Sequence, residues 1–260
     1  MKNHYATKLS LPLLLFMLMQ GQVSFAQDNN SYPDQDGKNQ VKLNVTSLLL
    51  KTYVFQYERA LGEKTSLALG FSFMPKSGPP LKSKIEDMVD DQETWDRVKD
   101  YKTSNFAFTP EFRYYLGKGV FHGFYIAPFA RFAKYSVDVP FHYSYTGADN
   151  TTVNETLPMN GDINTFTGGI LFGAQWKLSK LVYLDWWILG PNYGTSSGSL
   201  TGVKSLNDRE QTELRSQLAD IGHDIPLVDT KYNVDGNGVK VDVDGPWAGV
   251  RAGVNIGFRF

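Results

Sequence analysis

The chain has 260 residues, with 26 Lys and Arg against 27 Asp and Glu, 14% aromatic residues and no cysteine. A near-neutral charge without a basic run excludes a nucleic-acid binder, and the missing cysteines exclude a disulfide framework, a thiolate metal centre, a cysteine nucleophile and a cysteine-borne lipid anchor. Beyond the N-terminal segment no apolar run approaches the ~20 residues that a transmembrane helix needs, so a polytopic helical membrane protein is excluded.

In chain order, residues 1–26 carry the features of a cleavable export signal. Lys2 and Lys8 precede an apolar core from Leu11 to Met19, and Ser24-Phe25-Ala26 offers a small-x-small cleavage site. Removing its two lysines takes the net charge from −1 to −3. Residues 27–40 are polar, with Pro33 and Gly37, and read as a flexible segment. From Val41 to Phe260 the apolar period is two rather than 3.6. Strands are predicted near 41–47, 52–60, 65–74, 105–116, 122–136, 164–177, 181–190 and 247–260. Leu48-Leu49-Leu50 interrupts the alternation, which places a tight connection or bulge between the first two.

The last strand shows the pattern best. Ala248, Val250, Ala252, Val254, Ile256, Phe258 and Phe260 share one face, and Gly249, Arg251, Gly253, Asn255, Gly257 and Arg259 share the other. In 65–74, Leu67, Leu69, Phe71 and Phe73 oppose Ser66, Ala68, Gly70 and Ser72. In 164–177, Phe166, Ile170, Phe172, Ala174 and Trp176 are assigned to the apolar face. Connections 61–64, 117–120 and 178–180 are short, whereas 75–104, 137–163 and 191–246 are long, and with eight strands all three long ones fall at the same end. Short turns at one end and long loops at the other are the pattern of an outer-membrane barrel. The fold class expected is therefore all-β: an eight-stranded antiparallel up-and-down transmembrane β-barrel, residues 41–260, with short periplasmic turns. Its extracellular loops are expected to carry amphipathic helices over 81–99 and 205–221 and a hairpin over 231–243. Aromatic girdles are read at Tyr57, Tyr114, Phe124 and Trp176 on one rim and Tyr53, Phe106, Phe132, Tyr193 and Trp247 on the other.

On this architecture the chain resembles the small outer-membrane barrels typified by OmpA and OmpX, and more narrowly an uncharacterised family of Bacteroidota outer-membrane barrels. The residues that carry the likeness are Phe55-Gln56-Tyr57-Glu58-Arg59, Pro110-Glu111-Phe112-Arg113-Tyr114-Tyr115-Leu116, Gly123-Phe124-Tyr125-Ile126-Ala127-Pro128 and the Phe-ended last strand. Within it, Ile256, Phe258 and Phe260 resemble the signal read by the barrel-insertion machinery, which would be a partner during biogenesis. The resemblance implies residence in outer-membrane lipid and supplies no catalytic residues.

The polar face of the strands carries Glu58, Glu111, Arg113, Arg131, Asp185, Arg251 and Arg259. A lumen this narrow is filled by side chains, and buried charges persist when paired, so an ion network that plugs the barrel is expected; a narrow pore is the competing reading. A second alternative is hydrolysis. His142-Tyr143-Ser144 with the later Glu155 resembles the His-x-Ser and Glu of outer-membrane lipid A deacylases, although the Asn that follows Ser in that pattern is Tyr145 here. Those three side chains would serve as base, nucleophile and orienter; an exposed loop accounts for the same tripeptide. Asp235-Gly236-Asn237-Gly238 with Asp242 and Asp244 lacks the closing Glu of a calcium loop and is better read as a turn, and His122 and His223 are isolated, so no metal and no cofactor are expected. The function expected is structural or surface binding, to an extracellular or envelope partner through 75–104, 137–163 and 191–246.

Overall fold

The computed structural model describes residues 37–79, 99–147, 149–224 and 229–260. The export signal expected over 1–26 and the helix expected within 81–99 fall outside the described residues, apart from Lys99, which lies in a turn.

Among the described residues nine strands and one α-helix follow in order: β1 (Asn39–Asn44), β2 (Tyr53–Ala60), β3 (Thr65–Ser77), β4 (Lys102–Tyr115), β5 (Gly123–Thr146), β6 (Thr152–Lys177), β7 (Val182–Val203), α1 (Asp208–Asp224), β8 (Asp229–Asp235) and β9 (Gly238–Arg259). Each of β1 to β6 pairs antiparallel with the next, β7 pairs with β9, and β9 closes the ring on β1 through Val41 opposite Phe258 and Leu43 opposite Ile256. The barrel therefore has eight strands; β8 lies outside the ring as a hairpin partner of β9. The first and last strands of the ring meet at the short-turn end, where the Asn39 N–H donates to the Phe260 carbonyl at 3.0 Å.

Residues 41–60 form two strands. Asn44 Oδ1 accepts the Ser47 N–H at 2.8 Å, the Ser47 hydroxyl donates to the Asn44 and Thr52 carbonyls, and the chain turns through a 3-10 segment at Ser47–Leu50. Lys51 closes the turn with φ 56°, in the left-handed region.

The structure departs from the sequence reading at the long end. There 137–163 is a continuous hairpin of β5 and β6, which stay paired from Val137 opposite Gly161 up to Thr146 opposite Thr152. Likewise β7 and β9 remain paired from Pro191 opposite Val250 up to Val203 opposite Gly238, so most of 191–246 is strand and helix. The period-two pattern never stops: Tyr143, Leu157, Met159 and Val239 are buried on the inner face of this extension. It was obscured because the outer face turns polar. Along β5 the outer residues run Phe124, Ile126, Pro128, Ala130, Phe132 and then Lys134, Ser136 and Asp138; along β6, Phe172, Ile170 and Phe166 give way to Asn164 and Asp162. The two changes coincide, since Phe132 pairs with Phe166 and Lys134 with Asn164. Tyr193 to Thr195 on β7 and Pro246 to Asp244 on β9 repeat the change, with Thr195 opposite Pro246.

Helix α1 lies against β5 and β8, the two edges of the extended sheet, and so bridges its open side. Leu206, Leu214 and Leu218 meet Tyr143, Leu157, Met159, Val234 and Val239 in a second core. The helix begins in a capping box: Asn207 Oδ1 accepts the N–H groups of Arg209 and Glu210, both at 3.0 Å, and Glu210 Oε2 accepts the Asn207 N–H at 2.9 Å.

Ala174 lies opposite Phe124 and Trp186, both exposed on the outer face, so it faces outward as expected although it is itself buried. One facing assignment is corrected. Trp247 shares the inner parity of Arg251 and stacks on Tyr135 of the non-adjacent β5, centroids 5.1 Å apart, so it crosses the interior and does not belong to the outer girdle.

Candidate functional site

The interior carries polar residues at its centre because β1, β2, β4, β6 and β7 each turn a polar residue inward at that level: Lys42, Glu58, Arg113, Gln175 and Asp185, all buried. The Lys42 ammonium uses three partners, Glu58, Asp185 at 2.6 Å and Gln175 at 3.1 Å. The Arg113 guanidinium reaches Glu111 at 2.5 Å, Asp185 at 2.8 Å, Glu58 at 3.1 Å and the Gln56 side-chain oxygen at 2.8 Å, and lies 4.3 Å over the Tyr125 ring. The hydroxyls of Ser66 and Tyr115 donate to Glu58, and that of Tyr125 donates to Asp185. Arg251 reaches the second oxygen of Glu111 at 3.1 Å and is sandwiched by Trp187 and Phe129, each 4.5 Å away. Three cations thus face three carboxylates through shared hydrogen bonds, the arrangement in which buried charge is tolerated.

Of the residues read from sequence, Glu58, Glu111, Arg113, Asp185 and Arg251 stand in this network. Arg259 stands apart at the short-turn end, where it donates to the Gly37 carbonyl at 2.7 Å and the Tyr183 hydroxyl at 3.0 Å. Arg131 lies on the cavity wall and donates to the Thr109 hydroxyl at 3.4 Å. Lys42 was overlooked, although Val41-Lys42-Leu43-Asn44 shows the alternation that turns it inward. Also unforeseen was the aromatic packing of Tyr115, Phe121, Tyr125, Phe129, Tyr183 and Trp187 around Leu171, on the same inner face as the charges. Ile256, Phe258 and Phe260 lie on the outer face of the strand that closes the ring.

Above the network, toward the long end, the barrel encloses a cavity of about 290 Å³. Arg131, Arg251, Thr167 and Trp187 stand on its wall, together with the Tyr135–Trp247 pair.

The hydrolase constellation is not assembled. His142 lies opposite Thr156 and Ser144 opposite Asn154, whereas Glu155 lies opposite Tyr143, so the pleat puts Glu155 on the other face of the hairpin. His142 Nδ1 bonds to the Thr156 hydroxyl at 2.9 Å, and Glu155 accepts from Lys204 at 3.1 Å. Lys204 also donates to the Tyr143 hydroxyl at 2.7 Å, and that hydroxyl donates to Glu210 at 2.8 Å. Burial acts against charge at Glu210, but the Asn207 N–H, Tyr143 and Lys204 outweigh it and hold the carboxyl below its usual range. Burial likewise acts against the Lys204 ammonium, and its bonds to Tyr143 and Glu155 overcome it and raise its pKa. This cluster secures the cap. Among the described residues no group of His, Asp and Glu is arranged to hold a metal ion.

These features define the class: a closed eight-stranded antiparallel barrel with an ion-paired, aromatic interior and an apolar exterior. The chain belongs to the family described as "protein of unknown function (DUF3575)", which matches residues 11–193. No curated protein matches the sequence. Among solved structures, the N-terminal β-barrel domain of Pseudomonas aeruginosa OprF is similar at 8% identity, over 87% of this chain and 100% of that one, with a TM-score of 0.26.

Proposed function

We propose that the protein is an outer-membrane β-barrel whose plugged lumen serves as a rigid anchor and whose helix-bridged cap, carried outside the bilayer, binds a partner at the surface or in the envelope. One observation carries the membrane reading: the outer face of adjacent strands changes from apolar to polar at matched register. Below that level Phe71, Phe112, Phe166, Ile170, Phe172 and Phe258 are all exposed by 44% or more, an apolar surface far beyond what a soluble monomer leaves uncovered. From Phe166 to Trp176 β6 runs on the order of 33 Å at the ordinary strand rise. Tilted about 40° from the barrel axis, that stretch spans about 25 Å, the height of the apolar band in such barrels. The short turns then lie in the periplasm and the cap outside. The resemblance to small Bacteroidota barrels supports the same placement, the export signal over 1–26 supplies the route, and Ile256, Phe258 and Phe260 are offered to the insertion machinery.

The ion network favours an anchor over a pore, because it joins side chains from β1, β2, β4, β7 and β9 across the lumen. The binding role is tested by replacing residues 204–237 with a two-residue turn and comparing what co-purifies from detergent-extracted envelopes. The proposal expects a partner with the intact chain that is lost from the capless variant, while both keep the heat-modifiable mobility of a folded barrel. A partner retained by the capless barrel, or steady conductance of the wild-type protein in planar bilayers, would overturn it.

A further inference from the structure

The ion network balances three cations with three carboxylates, and Arg131 is a fourth cation in the same lumen. Among the described residues no carboxylate pairs with it; its bond is to the Thr109 hydroxyl, 3.4 Å away. It is half-buried and shares the wall of the 290 Å³ cavity with Arg251, whose guanidinium uses one N–H on Glu111 and has its faces covered by Trp187 and Phe129. Two further residues on that wall hold buried polar atoms without a hydrogen-bond partner among the described residues, Thr167 Oγ1 and Trp187 Nε1. Thr167 is 1% exposed and Trp187 4%. The indole N–H can only donate, the guanidinium groups can only donate, and the threonine hydroxyl can donate.

Orphaned polar atoms beside a cavity call for an occupant. Water would satisfy Thr167 and Trp187, but it would leave the guanidinium groups of Arg131 and Arg251 on one wall with Glu111, already shared with Arg113, as the carboxylate bonded to Arg251 and none bonded to Arg131 among the described residues. An oxyanion meets both needs: it supplies acceptors for the indole, the hydroxyl and two guanidinium groups, and it balances Arg131. The volume lies at the lower bound of small-ligand pockets, about 300 Å³, so the ligand group is compact. The cavity also reaches the wall where β1 stops at Asn44 while β9 continues, and there the exposed Leu50 and Val250 line it. A phosphate carried on a lipid would have a way in at that seam, and a free phosphate would need only the aqueous mouth.

We infer that the cavity between the ion network and the Tyr135–Trp247 pair is a phosphate-class oxyanion site, with Arg131 and Arg251 as charged donors and Thr167 and Trp187 as neutral ones. The site stands whether or not the cap binds a partner.

The test uses the full-length mature chain. In non-ionic detergent, inorganic phosphate is titrated by calorimetry; in zwitterionic phosphatidylcholine nanodiscs, retention of added phosphatidic acid is read by native mass spectrometry. The site predicts that at least one probe binds the wild-type protein. It further predicts that Arg131→Gln weakens that probe about tenfold or more, the scale of one lost charge-assisted hydrogen bond. Arg131→Lys should recover part of the binding. Phosphate binding assigns the site to a free oxyanion, and retention of phosphatidic acid alone assigns it to a lipid headgroup. Thr167→Val is the second variant, should Arg131→Gln fail to fold; it keeps the side-chain shape and should weaken the same probe. Absence of binding by both probes, or binding unchanged in Arg131→Gln and in Thr167→Val, would overturn the proposal.

Discussion

Lys42→Met removes the ammonium that joins β1 to β2 and β7 while keeping most of the side-chain volume. Three bonds disappear, to Glu58, Asp185 and Gln175. Bonds to charged groups contribute about 1.5–3 kcal/mol each, so the gross loss exceeds 4 kcal/mol. Against this stands the desolvation that the fully buried ammonium no longer suffers. The balance is decided by what remains: Glu58, Glu111 and Asp185 with only Arg113 and Arg251 among them, a stranded negative charge in a closed lumen. Breaking a buried pair on one side costs about 3–5 kcal/mol. For a domain of this size that lowers the unfolding temperature by on the order of 10 °C. Thermal unfolding of the detergent-refolded barrel, followed by the loss of its heat-modifiable band, measures the change. Adding Glu58→Gln restores the charge count, so the double variant should lose less than the sum of the single losses, with a coupling of about 1–3 kcal/mol. Additive losses, or a Lys42→Met variant as stable as wild type, would refute the network as a source of stability.

Ile170→Arg, in the middle of the apolar band, should destabilise the folded barrel in lipid by about 2–4 kcal/mol, whereas Asn154→Arg on the extension should be neutral; urea titration in vesicles compares them. Leu214→Ala, at a fully buried position of α1, should weaken the cap by about 2–5 kcal/mol and leave the heat-modifiable barrel intact, read as proteolysis confined to 204–237. The cap should also respond to pH. Glu210 titrates below its ordinary 4.5 in the folded cap, so its contribution is present above that value and is lost as pH falls through the lower folded one. Lys204 titrates above its ordinary 10.5, so its contribution is complete below that value and is lost only as pH rises through the higher folded one. Ellipticity at 222 nm should therefore hold between about pH 5 and 10 and fall on the acid side, and Glu210→Gln should abolish the acid limb.

The barrel was legible because period-two alternation is written into nearly every strand, and the short turns mark one end without ambiguity. The extension was not, because its outer residues, from Lys134 and Asn164 onward, are as polar as a loop. Only the inner face, with Tyr143, Leu157 and Met159, kept the strand signal, and a one-sided pattern is easily taken for irregular chain. The network was legible as a set of charges on one parity. Lys42 escaped because β1 is six residues long and its polar face ends at Asn44. The aromatic interior escaped for a different reason. Tyr125, Phe129 and Trp187 share the parity of the charges, so an interior expected to be polar proved mixed, with guanidinium groups stacked on rings. The cavity arises from strands that are not neighbours in the sheet, as Tyr135 meeting Trp247 shows, and no local pattern encodes such a contact.

The central claim is that the wall from Phe166 to Trp176 lies in lipid, with the cap and the short turns on opposite sides. Because the chain has no cysteine, single cysteines report this without background. Asn154→Cys, Ile170→Cys and Ser179→Cys would be treated with a membrane-impermeant maleimide on intact cells, on cells with a permeabilised outer membrane, and on unfolded protein. The account predicts labelling of Asn154→Cys on intact cells, of Ser179→Cys only after permeabilisation, and of Ile170→Cys only after unfolding. Labelling of Ile170→Cys in intact or permeabilised cells would contradict it.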